Sequence, residues 1–423
     1  MNHEILKRVI FDQRRVMQRM QIVSRRYTLE PGANYIIVGM RRAGKSTLLY
    51  ERARDLIAAG ADWSQIIYLN FEDERLLGFA LSDFDDVVQT AAELTDGEPY
   101  YFFDEIQNIE GWERFARRIA DEQRRVYITG SNAEMLSSEM EQRLGGRYLV
   151  RELMPYSFDE YLTARGVDHT EEALLTAELA GKIQAAASDY LQNGGLPESV
   201  GFLDRRSYAE NVYHKVLLGD IAARHSIRGV AALRLLMKKV AETVTSEVTF
   251  SSLKKAVTAT GASISTDSVI DYVGYAEDAY LLFHTNNYVA RFAQREGTPR
   301  YYFGDNGVLG LFLVDKTSLL LENVVALSLR RRFGEEIYYF KSSKTGIDVD
   351  FYLPGGSLAV QVAYTLDSGS ERREVTSLEA LARDERLAPR RFVIVTYADD
   401  ERVIDAPGAS IEVIPLWKFL LES

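Results

Sequence analysis

The sequence predicts an α/β chain with a mostly parallel sheet in its N-terminal third, a mostly helical middle and a second mixed α/β region at its C-terminal end. Three observations support this class. Short apolar runs alternate with helical stretches over residues 35–130, which is typical of βαβ units. Residues 150–245 show mainly helical periodicity, and residues 306–423 return to alternating apolar runs and helices.

Composition limits the class of protein before any motif is considered. The 423 residues are 46% hydrophobic and 26% charged, which is ordinary for a soluble globular chain of several domains. The absence of cysteine excludes disulfides, thiol nucleophiles and cysteine zinc sites. It also fits a reducing cytosol, so we expect a cytoplasmic protein. The net charge of −12 argues against a chain that coats nucleic acid but leaves a local basic face open.

The first 30 residues mix arginines with apolar positions and predict one or two amphipathic helices, which Pro31 and Gly32 end. No apolar run approaches the roughly 18–20 residues that a membrane helix needs. Residues 1–10 also lack the apolar core of a signal peptide. We therefore expect no membrane partner.

The predicted parallel sheet begins after this turn. Its strands are predicted at residues 35–38, 66–69, 100–103 and 126–129. The stretches between them predict helices at residues 45–59, 81–94 and 112–122.

A phosphate-binding motif lies between the first strand and the first helix of this sheet. Residues 39–47 match G-x-x-x-x-G-K-[ST], a loop whose glycines let backbone N–H groups point at phosphate oxygens. We expect Lys45 to reach the β and γ phosphates of ATP and Ser46 to ligate Mg²⁺. The positions expected to contact the nucleotide are Gly39, Arg41, Arg42, Ala43, Gly44, Lys45, Ser46 and Thr47. For Arg41 and Arg42, contact with phosphate and contact with a neighbouring subunit both stay open.

The second half of the site follows the third strand. Four large apolar residues end in Asp104 and Glu105, so a buried strand delivers two carboxylates to the edge where open α/β sheets bind ligands. We expect Asp104 to hold Mg²⁺, directly or through water, and Glu105 to polarise the attacking water. The acidic stretch at residues 70–73, after the second strand, is a further candidate for the metal or water shell.

Polar and basic residues after the fourth strand are candidates for contact with the γ-phosphate. Asn132 or Ser131 would contact that phosphate or the water, and the alternative is that they cap a helix. Arg147, and less directly Arg143, would supply a cation to the developing charge, in its own subunit or in a neighbour of a homo-oligomer. The alternative is that both arginines are ordinary surface residues.

The helical middle leads into a compact pattern of helix, turn, helix and hairpin. Residues 249–260 and 266–278 predict two short helices, and residues 281–288 and 300–303 predict a β pair. This layout is typical of a winged helix. Winged helices bind DNA or proteins, so the layout leaves both kinds of partner open.

Taken together, these motifs resemble a family of prokaryotic AAA-type ATPases that carry a C-terminal domain of unknown function. The resemblance rests on residues 39–47, on Phe-Asp-Glu-Ile-Gln at 103–107 with Trp112, and on Gly-Ser-Asn at 130–132 with Leu-Gly-Gly-Arg at 144–147. Weaker matches are Gly-Gly-Leu-Pro at 194–197, Asp-Asn-Gly at 305–307 and Leu-Glu-Asn at 321–323. The resemblance implies an ATP-binding protein whose C-terminal part is similar to a restriction endonuclease core.

The order of elements after residue 318 agrees with that implication. A helix at 318–333, strands at 337–341, 347–353 and 357–364, a helix at 370–382 and a strand at 391–396 give the α-β-β-β-α-β order of such nucleases.

The residues that a nuclease needs are incomplete. Glu322 and Asp350 suit a metal, but the expected Glu-x-Lys strand has Gln361 and Ala363 instead. A binding or scaffold role is therefore favoured over an active nuclease. A site completed from elsewhere, for example by Lys341 or Lys344, stays open.

The sequence thus predicts four regions: an AAA-type P-loop ATPase domain with its N-terminal helix (1–155), a helical middle (156–245), a winged-helix-like unit (246–305) and a restriction-endonuclease-like domain (306–423). The expected function is a Mg²⁺-dependent ATPase that switches DNA or protein binding, with an ATP-dependent nuclease and a non-hydrolysing ATP-binding protein as alternatives. Basic residues that suit phosphate contacts, or are simply solvated, are Arg224, Arg228, Arg234, Lys238, Lys239, Lys254, Lys255, Arg330, Arg331 and Arg332.

Overall fold

The computed structural model describes residues 1–131, 138–314, 317–384 and 386–422 of the chain. It divides the chain into two compact units. The first contains residues 1–154 and 278–280, and the second contains residues 155–277 and 281–423. The strands of the first unit form a parallel sheet and those of the second a mixed sheet, which confirms the predicted α/β class.

The parallel sheet of the first unit has the strand order β2-β3-β4-β1-β5 among the residues that the structure describes. Each neighbouring pair is parallel. Parallel sheets carry helices on both faces, and side chains from β1 to β4 are accordingly almost all buried. The strands are β1 (Asn34–Val38), β2 (Ile66–Asn70), β3 (Tyr100–Asp104), β4 (Arg125–Gly130) and β5 (Tyr148–Glu152).

One N-terminal helix packs on this sheet. Its buried Arg14 donates from Nε to the carbonyl of Ile66 at 2.8 Å and from Nη2 to the carbonyl of Ser64 at 2.7 Å. The helices of this unit are α1 (His3–Arg19), α2 (Lys45–Ala58), α3 (Phe84–Leu94), α4 (Trp112–Asp121) and α5 (Ser138–Leu144). Short 3-10 turns lie at Trp63–Gln65, Glu74–Leu76, Leu81–Asp83 and Ile106–Asn108.

The chain after residue 155 begins with helices, as predicted. From there on the helices are α6 (Phe158–Ala164), α7 (Glu171–Leu174), α8 (Ala177–Asn193), α9 (Arg205–Lys215), α10 (Val230–Glu242), α11 (Phe250–Ala259), α12 (Thr266–Asp278), α13 (Phe292–Gly297), α14 (Asn306–Leu309), α15 (Thr317–Phe333), α16 (Ser368–Ala382) and α17 (Leu416–Leu421). A 3-10 turn lies at Pro197–Gly201, and a π-helical segment, Val216–Ala223, continues α9.

The second sheet has the order β12-β13-β11-β10-β9-β8-β6-β7 among the described residues. Its strands are β6 (Leu282–Asn287), β7 (Arg300–Phe303), β8 (Tyr338–Ser342), β9 (Ile347–Leu353), β10 (Leu358–Ala363), β11 (Arg391–Thr396), β12 (Arg402–Ala406) and β13 (Ala409–Pro415). The predicted α-β-β-β-α-β order is present as α15, β8, β9, β10, α16 and β11.

The β6–β7 pair belongs to this larger sheet. The two strands are antiparallel, as expected for a hairpin, with α13 between them. β6 also pairs in parallel with β8, where Asn286 and Asn287 face Tyr338 and Tyr339. The sequence-based boundary between 246–305 and 306–423 therefore falls inside one sheet, because these long-range strand pairs leave no local signal in the sequence.

The weaker motifs of the resemblance meet in the second unit. Gly195 donates its N–H to the buried carboxylate of Asp305 at 2.8 Å. Gly194 has φ +71°, and a Cβ atom there would overlap the same carboxylate. Asn323 donates to the Asn306 side chain at 2.8 Å and to the Phe303 carbonyl at 3.0 Å. These motif residues thus hold α8, α14, α15 and β7 together.

None of the described helices is both long and apolar enough to cross a bilayer.

Candidate functional site

The loop between β1 and α2 has the backbone that phosphate binding requires. Gly39 adopts φ +144°, Arg42 φ +67° and Gly44 φ +99°, so the chain turns sharply before α2 begins at Lys45. The first turn of α2 has neither a side-chain cap nor an acidic residue. Its N–H groups and the positive end of the helix dipole are therefore suited to an anion.

Lys45 lies across this loop and is buried. Its Nζ donates to the carbonyls of Gly39 at 2.9 Å and Met40 at 3.2 Å, and it lies 3.9 Å from Oε1 of Glu105. The predicted phosphate-binding lysine and the predicted catalytic glutamate therefore face each other at one edge of the sheet.

Asp104 ends β3 and is completely buried. Tyr68 donates to its Oδ2 at 2.5 Å, Thr129 donates to its Oδ1, and the Ser46 hydroxyl forms a hydrogen bond with it. Burial, together with the charge of Glu105, raises the pKa of Asp104. The Ser46 hydroxyl and the Asp104 carboxylate, the two ligands expected for Mg²⁺, thus lie together. Mg²⁺ prefers oxygen ligands of this kind.

Glu105 follows in a left-handed backbone conformation, with φ +52°. Its N–H donates to Oγ1 of Thr129 at 3.0 Å. Its carboxylate accepts hydrogen bonds from the amide of Gln107 and from the hydroxyl of Ser131, the latter at 3.3 Å. This unusual backbone turns the side chain back toward the phosphate loop, and such conformations are concentrated at functional sites.

Ser131 therefore contacts the catalytic candidate directly, whereas Asn132, its predicted alternative, lies outside the described residues. Arg147 forms an ion pair with Asp121 and donates to the Gly145 carbonyl at 2.9 Å. Arg143 pairs with Glu113 at 3.2 Å. Arg143 is thus paired with the first turn of α4, and Arg147 with the last residue of α4. A role for Arg147 in hydrolysis stays a prediction.

The acidic stretch after β2 divides between two partners. Glu72 accepts from Arg41 of the phosphate loop at 3.3 Å, and Asp73 forms an ion pair with Arg75 at 2.7 Å. Arg42 is exposed. Of these residues, Glu72 and Arg41 connect the stretch with the nucleotide loop.

Two supporting residues were missed by the sequence prediction. The buried Arg25 donates from Nη1 to the carbonyl of Ala43 at 2.8 Å and from Nη2 to the carbonyl of Met154 at 2.6 Å. It therefore links the phosphate loop to the segment that follows β5. Thr129 joins Asp104 to the backbone of Glu105. Arg25 lies 18 residues from Ala43 and carries no motif, whereas Thr129 had a signal, since it is a polar residue at the end of a buried strand.

The nuclease-like positions of the second unit also come together. The buried Glu322 accepts from the Tyr302 hydroxyl at 2.9 Å, and Asp350 accepts from the N–H of Val362 at 3.0 Å. Gln361 accepts from the N–H of Asp350 at 2.7 Å. Ala363 ends β10, Lys344 is exposed, and Lys341 pairs with Glu247 at 3.0 Å and Asp348 at 3.9 Å.

The basic residues differ in how far they are engaged by the rest of the unit. Arg331 donates to the Pro155 carbonyl at 2.8 Å, Arg332 lies 3.6 Å from Glu422, and Arg330 lies over the ring of Phe283, so this triplet is engaged within the unit. Lys239 pairs with Glu242, and Lys254 is half-buried. The exposed residues that take part in no ion pair with the described residues are Arg224, Arg228, Arg234, Lys238 and Lys255.

Comparison with known proteins agrees with this geometry. Residues 32–162 match the model of the AAA domain, and residues 184–318 match a domain of unknown function, DUF8612. The resemblance to AAA-type P-loop ATPases is confirmed. The P-loop, Asp104 and Glu105 all lie within the part of the chain that matches the AAA domain.

Two relatives align with most of this chain. An uncharacterized protein of Methanocaldococcus jannaschii is 28% identical over 99% of this chain and 95% of its own length. An uncharacterized protein of Haemophilus influenzae is 28% identical over 80% of this chain and 84% of its own. Among solved structures, a Walker-type ATPase of Pyrococcus abyssi is 13% identical, with a TM-score of 0.40 over 66% of this chain and 91% of its own.

Proposed function

We propose that this chain is a Mg²⁺-dependent ATPase whose nucleotide state controls binding of DNA through its second unit. One observation carries the enzymatic half of the proposal: Lys45, Ser46, Asp104 and Glu105 converge at the carboxyl edge of one parallel sheet. A protein that only retained ATP would not need a glutamate held beside the phosphate-binding lysine. This geometry therefore favours hydrolysis over the non-hydrolysing alternative.

Each residue has a distinct task in this proposal. The N–H groups at the start of α2 and the ammonium of Lys45 bind and orient the phosphates. Ser46 and Asp104 would hold Mg²⁺, which neutralises charge on the β and γ phosphates when bound. Glu105 orients the attacking water and accepts its proton, and Ser131 and Gln107 fix the carboxylate in place.

Phosphate release from Mg²⁺-ATP tests the enzymatic half. Replacing Glu105 with Gln removes the proton acceptor, so we expect turnover to fall about 10²-fold or more while ATP still binds. Lys45→Ala should abolish both binding and turnover. The exposed Glu110, five residues along the chain, supplies a matched control, and Glu110→Gln should leave the rate unchanged. Equal rates in wild type and Glu105→Gln would refute hydrolysis at this site.

DNA is the partner class that the exposed charges favour. Arg224 lies directly after the π-helical segment, Arg234 and Lys238 are four residues apart on α10, and Lys255 lies on α11. Residues four apart share a face of a helix. α10 and α11 pack against each other. Cations that pair with no acidic side chain in the described part of the chain, whose net charge is −12, suit a phosphate backbone.

Double-stranded DNA binding, measured by fluorescence anisotropy at two salt concentrations, tests this half. The double substitution Arg234→Gln and Lys238→Gln should weaken binding and reduce its salt dependence, because fewer counterions are released. Arg372→Gln, which removes an exposed arginine of α16, is the control. Switching predicts different affinities for the ADP form and for Glu105→Gln with ATP. Unchanged binding in the double variant would exclude this face and leave a protein partner as the alternative.

A further inference from the structure

A buried acidic centre lies where β7, β9, β10, α15 and α16 meet in the second unit. Its carboxyl groups come from the buried Glu322 on α15 and Glu374 on α16 and from the partly exposed Asp350 on β9, with Asp348 at its exposed side. Burial raises the pKa of both Glu322 and Asp350, and the charge of Asp350 raises that of Glu322 further. Burying several carboxylates without a positive charge beside them would destabilise the fold, so a cation is expected nearby.

Arg300 supplies a buried cation for Asp350 and Asp348, and the largely exposed Arg373 pairs with Glu374 at 2.5 Å. The Arg300 side chain is 5% exposed, and its Nη1 lies 3.5 Å from Oδ1 of Asp350 while its Nη2 lies 3.1 Å from Oδ1 of Asp348. Its guanidinium stacks on the ring of Tyr339, with the central carbon 4.4 Å from the ring centroid. Arginine keeps its charge at every physiological pH, so this cation is permanent.

Gln361 both accepts and donates hydrogen bonds in this centre, which a metal-binding carboxylate could not do. Its carbonyl oxygen accepts from the N–H of Asp350 at 2.7 Å. Its amide nitrogen donates to the Asp348 carbonyl at 3.0 Å and to Oε2 of Glu374 at 2.7 Å. A glutamate at this position has no donor for these two acceptors and would add a further negative charge beside Glu374.

The residues present therefore do not fit the divalent metal that a nuclease-like core implies. Nuclease chemistry of this kind needs converging carboxylates with room for an ion and a lysine near the water. Here the acceptors face a guanidinium and an amide, and the lysine position holds Ala363. In the described part of the chain, no three or more His, Cys, Asp or Glu side chains are grouped so as to hold a metal ion.

We infer that the guanidinium of Arg300 is the resident cation of this centre and that it occupies the place of a divalent metal. The centre is then an internal ion cluster that joins the strands and helices of the sheet. Nothing in it cuts DNA. Removing the positive charge should convert the cluster into a site that accepts a divalent ion, because Glu322 and Asp350 would be left without their counter-charge.

Mn²⁺ binding to the full chain without nucleotide, followed by electron paramagnetic resonance, tests this inference. Wild type and Asp350→Asn should bind the same amount of Mn²⁺, because Asp350 has no role in metal binding while Arg300 is present. Arg300→Met keeps the apolar stem but removes the charge, and it should bind an additional Mn²⁺ ion. That ion should be lost when Asp350→Asn is added. The control Arg291→Met removes an exposed arginine of the connection that leads into β7 and should bind no additional ion.

Two results would overturn the inference. Wild-type Mn²⁺ binding that Asp350→Asn abolishes would mean that a metal, not Arg300, is the resident cation. A folded Arg300→Met variant without additional Mn²⁺ would mean that the guanidinium does not occupy a metal position. The comparison of wild type with Asp350→Asn decides the first point even if Arg300→Met does not fold.

Discussion

At the scale of single residues, the candidate catalytic pair depends on a hydroxyl that no motif marks. Thr129 is fully buried, donates to Asp104 and accepts from the backbone of Glu105. It therefore fixes both the carboxylate proposed to bind Mg²⁺ and the position of the carboxylate proposed to act in catalysis. Partners of metal ligands commonly act in this way, by orienting groups that touch the reacting atoms.

Thr129→Val keeps the shape of the side chain but removes both hydrogen bonds. We expect ATP turnover to fall about 10–100-fold, with a higher Mg²⁺ requirement, because Asp104 loses an orienting donor. Thr129→Ser retains the hydroxyl and should recover most of the rate. Phosphate release measured over a Mg²⁺ titration gives both values. A loss of stability in Thr129→Val without a change in the Mg²⁺ requirement would assign Thr129 to folding alone.

The buried carboxylate of Asp305 should make the free energy of unfolding depend on pH. It accepts N–H groups from Gly195 at 2.8 Å and Val308 at 3.2 Å, yet burial raises its pKa to about 6. An unfolded chain gives aspartate a pKa of about 3.9. Between these values the folded protein binds the additional proton, so its free energy of unfolding falls as pH rises through the window.

Asp305→Asn removes this titration. Between pH 4 and pH 7, wild type should lose up to about 3 kcal/mol of stability relative to the variant, as the difference of about two pKa units requires. Urea denaturation at both pH values measures the change. Asp204, an exposed cap of α9 whose pKa is lowered by the hydrogen bonds of Ser207, is the control, and Asp204→Asn should show the opposite sign. A pH-independent difference between wild type and Asp305→Asn would contradict the assignment.

At the scale of elements, the phosphate loop is fitted against β5. Gly39 has φ +144°, and a Cβ atom there would overlap the carbonyl oxygen of Leu153, the residue that follows β5. Gly39→Ala should therefore displace the loop and abolish ATP binding, measured with a fluorescent ATP analogue. Gly60→Ala is the matched control, because Gly60 also has positive φ, +107°, but open space around it. ATP binding that survives in Gly39→Ala would show that the loop tolerates this displacement.

The sequence predicted elements well where the pattern is local. The predicted limits of β9 and β11 agree with the observed ones, and the four N-terminal strands were each located to within a residue at either end, because continuous apolar runs bounded by polar residues mark buried strands. β12 was not predicted, since all five of its residues are partly or fully exposed and its apolar signal is weak. The membership of β6 and β7 in the second sheet depends on the pairing of Asn286 with Tyr338, 52 residues away, which no local pattern encodes.

The residues of the candidate site divide in the same way, into those with a local sequence signal and those defined only by contacts between distant segments. Lys45, Ser46, Asp104 and Glu105 were predicted from one motif and one strand end, and the structure brings all four together. Arg25 and Arg300 were not predicted. Each is an ordinary arginine in the sequence and becomes specific only when folding buries its guanidinium against carbonyl or carboxylate oxygens from distant segments.

At the scale of the whole molecule, the chain separates the nucleotide site from the acidic centre. Lys45 and Asp104 belong to the first unit, whereas Arg300 and Asp350 belong to the second. Each unit has its own apolar core, one around Tyr35, Tyr68 and Phe102 and another around Val349, Ile394 and Val413. A ligand that binds one unit therefore stabilises that unit directly. Any change that the ligand causes in the stability of the other unit measures the coupling free energy between the two units, which a nucleotide switch needs.

Tryptophan fluorescence can report the two units separately, since Trp63 and Trp112 lie in the first and Trp417 in the second. At about 100 times its dissociation constant, Mg²⁺-ATP should stabilise the first unit by about 2.7 kcal/mol against urea, seen in Trp417→Phe, and Lys45→Ala should remove the effect. If ATP acts as a switch, a variant that keeps only Trp417 should also respond to ATP. A Trp417 transition that is the same with ATP, with ADP and without nucleotide would leave an ATPase whose nucleotide state does not reach the second unit.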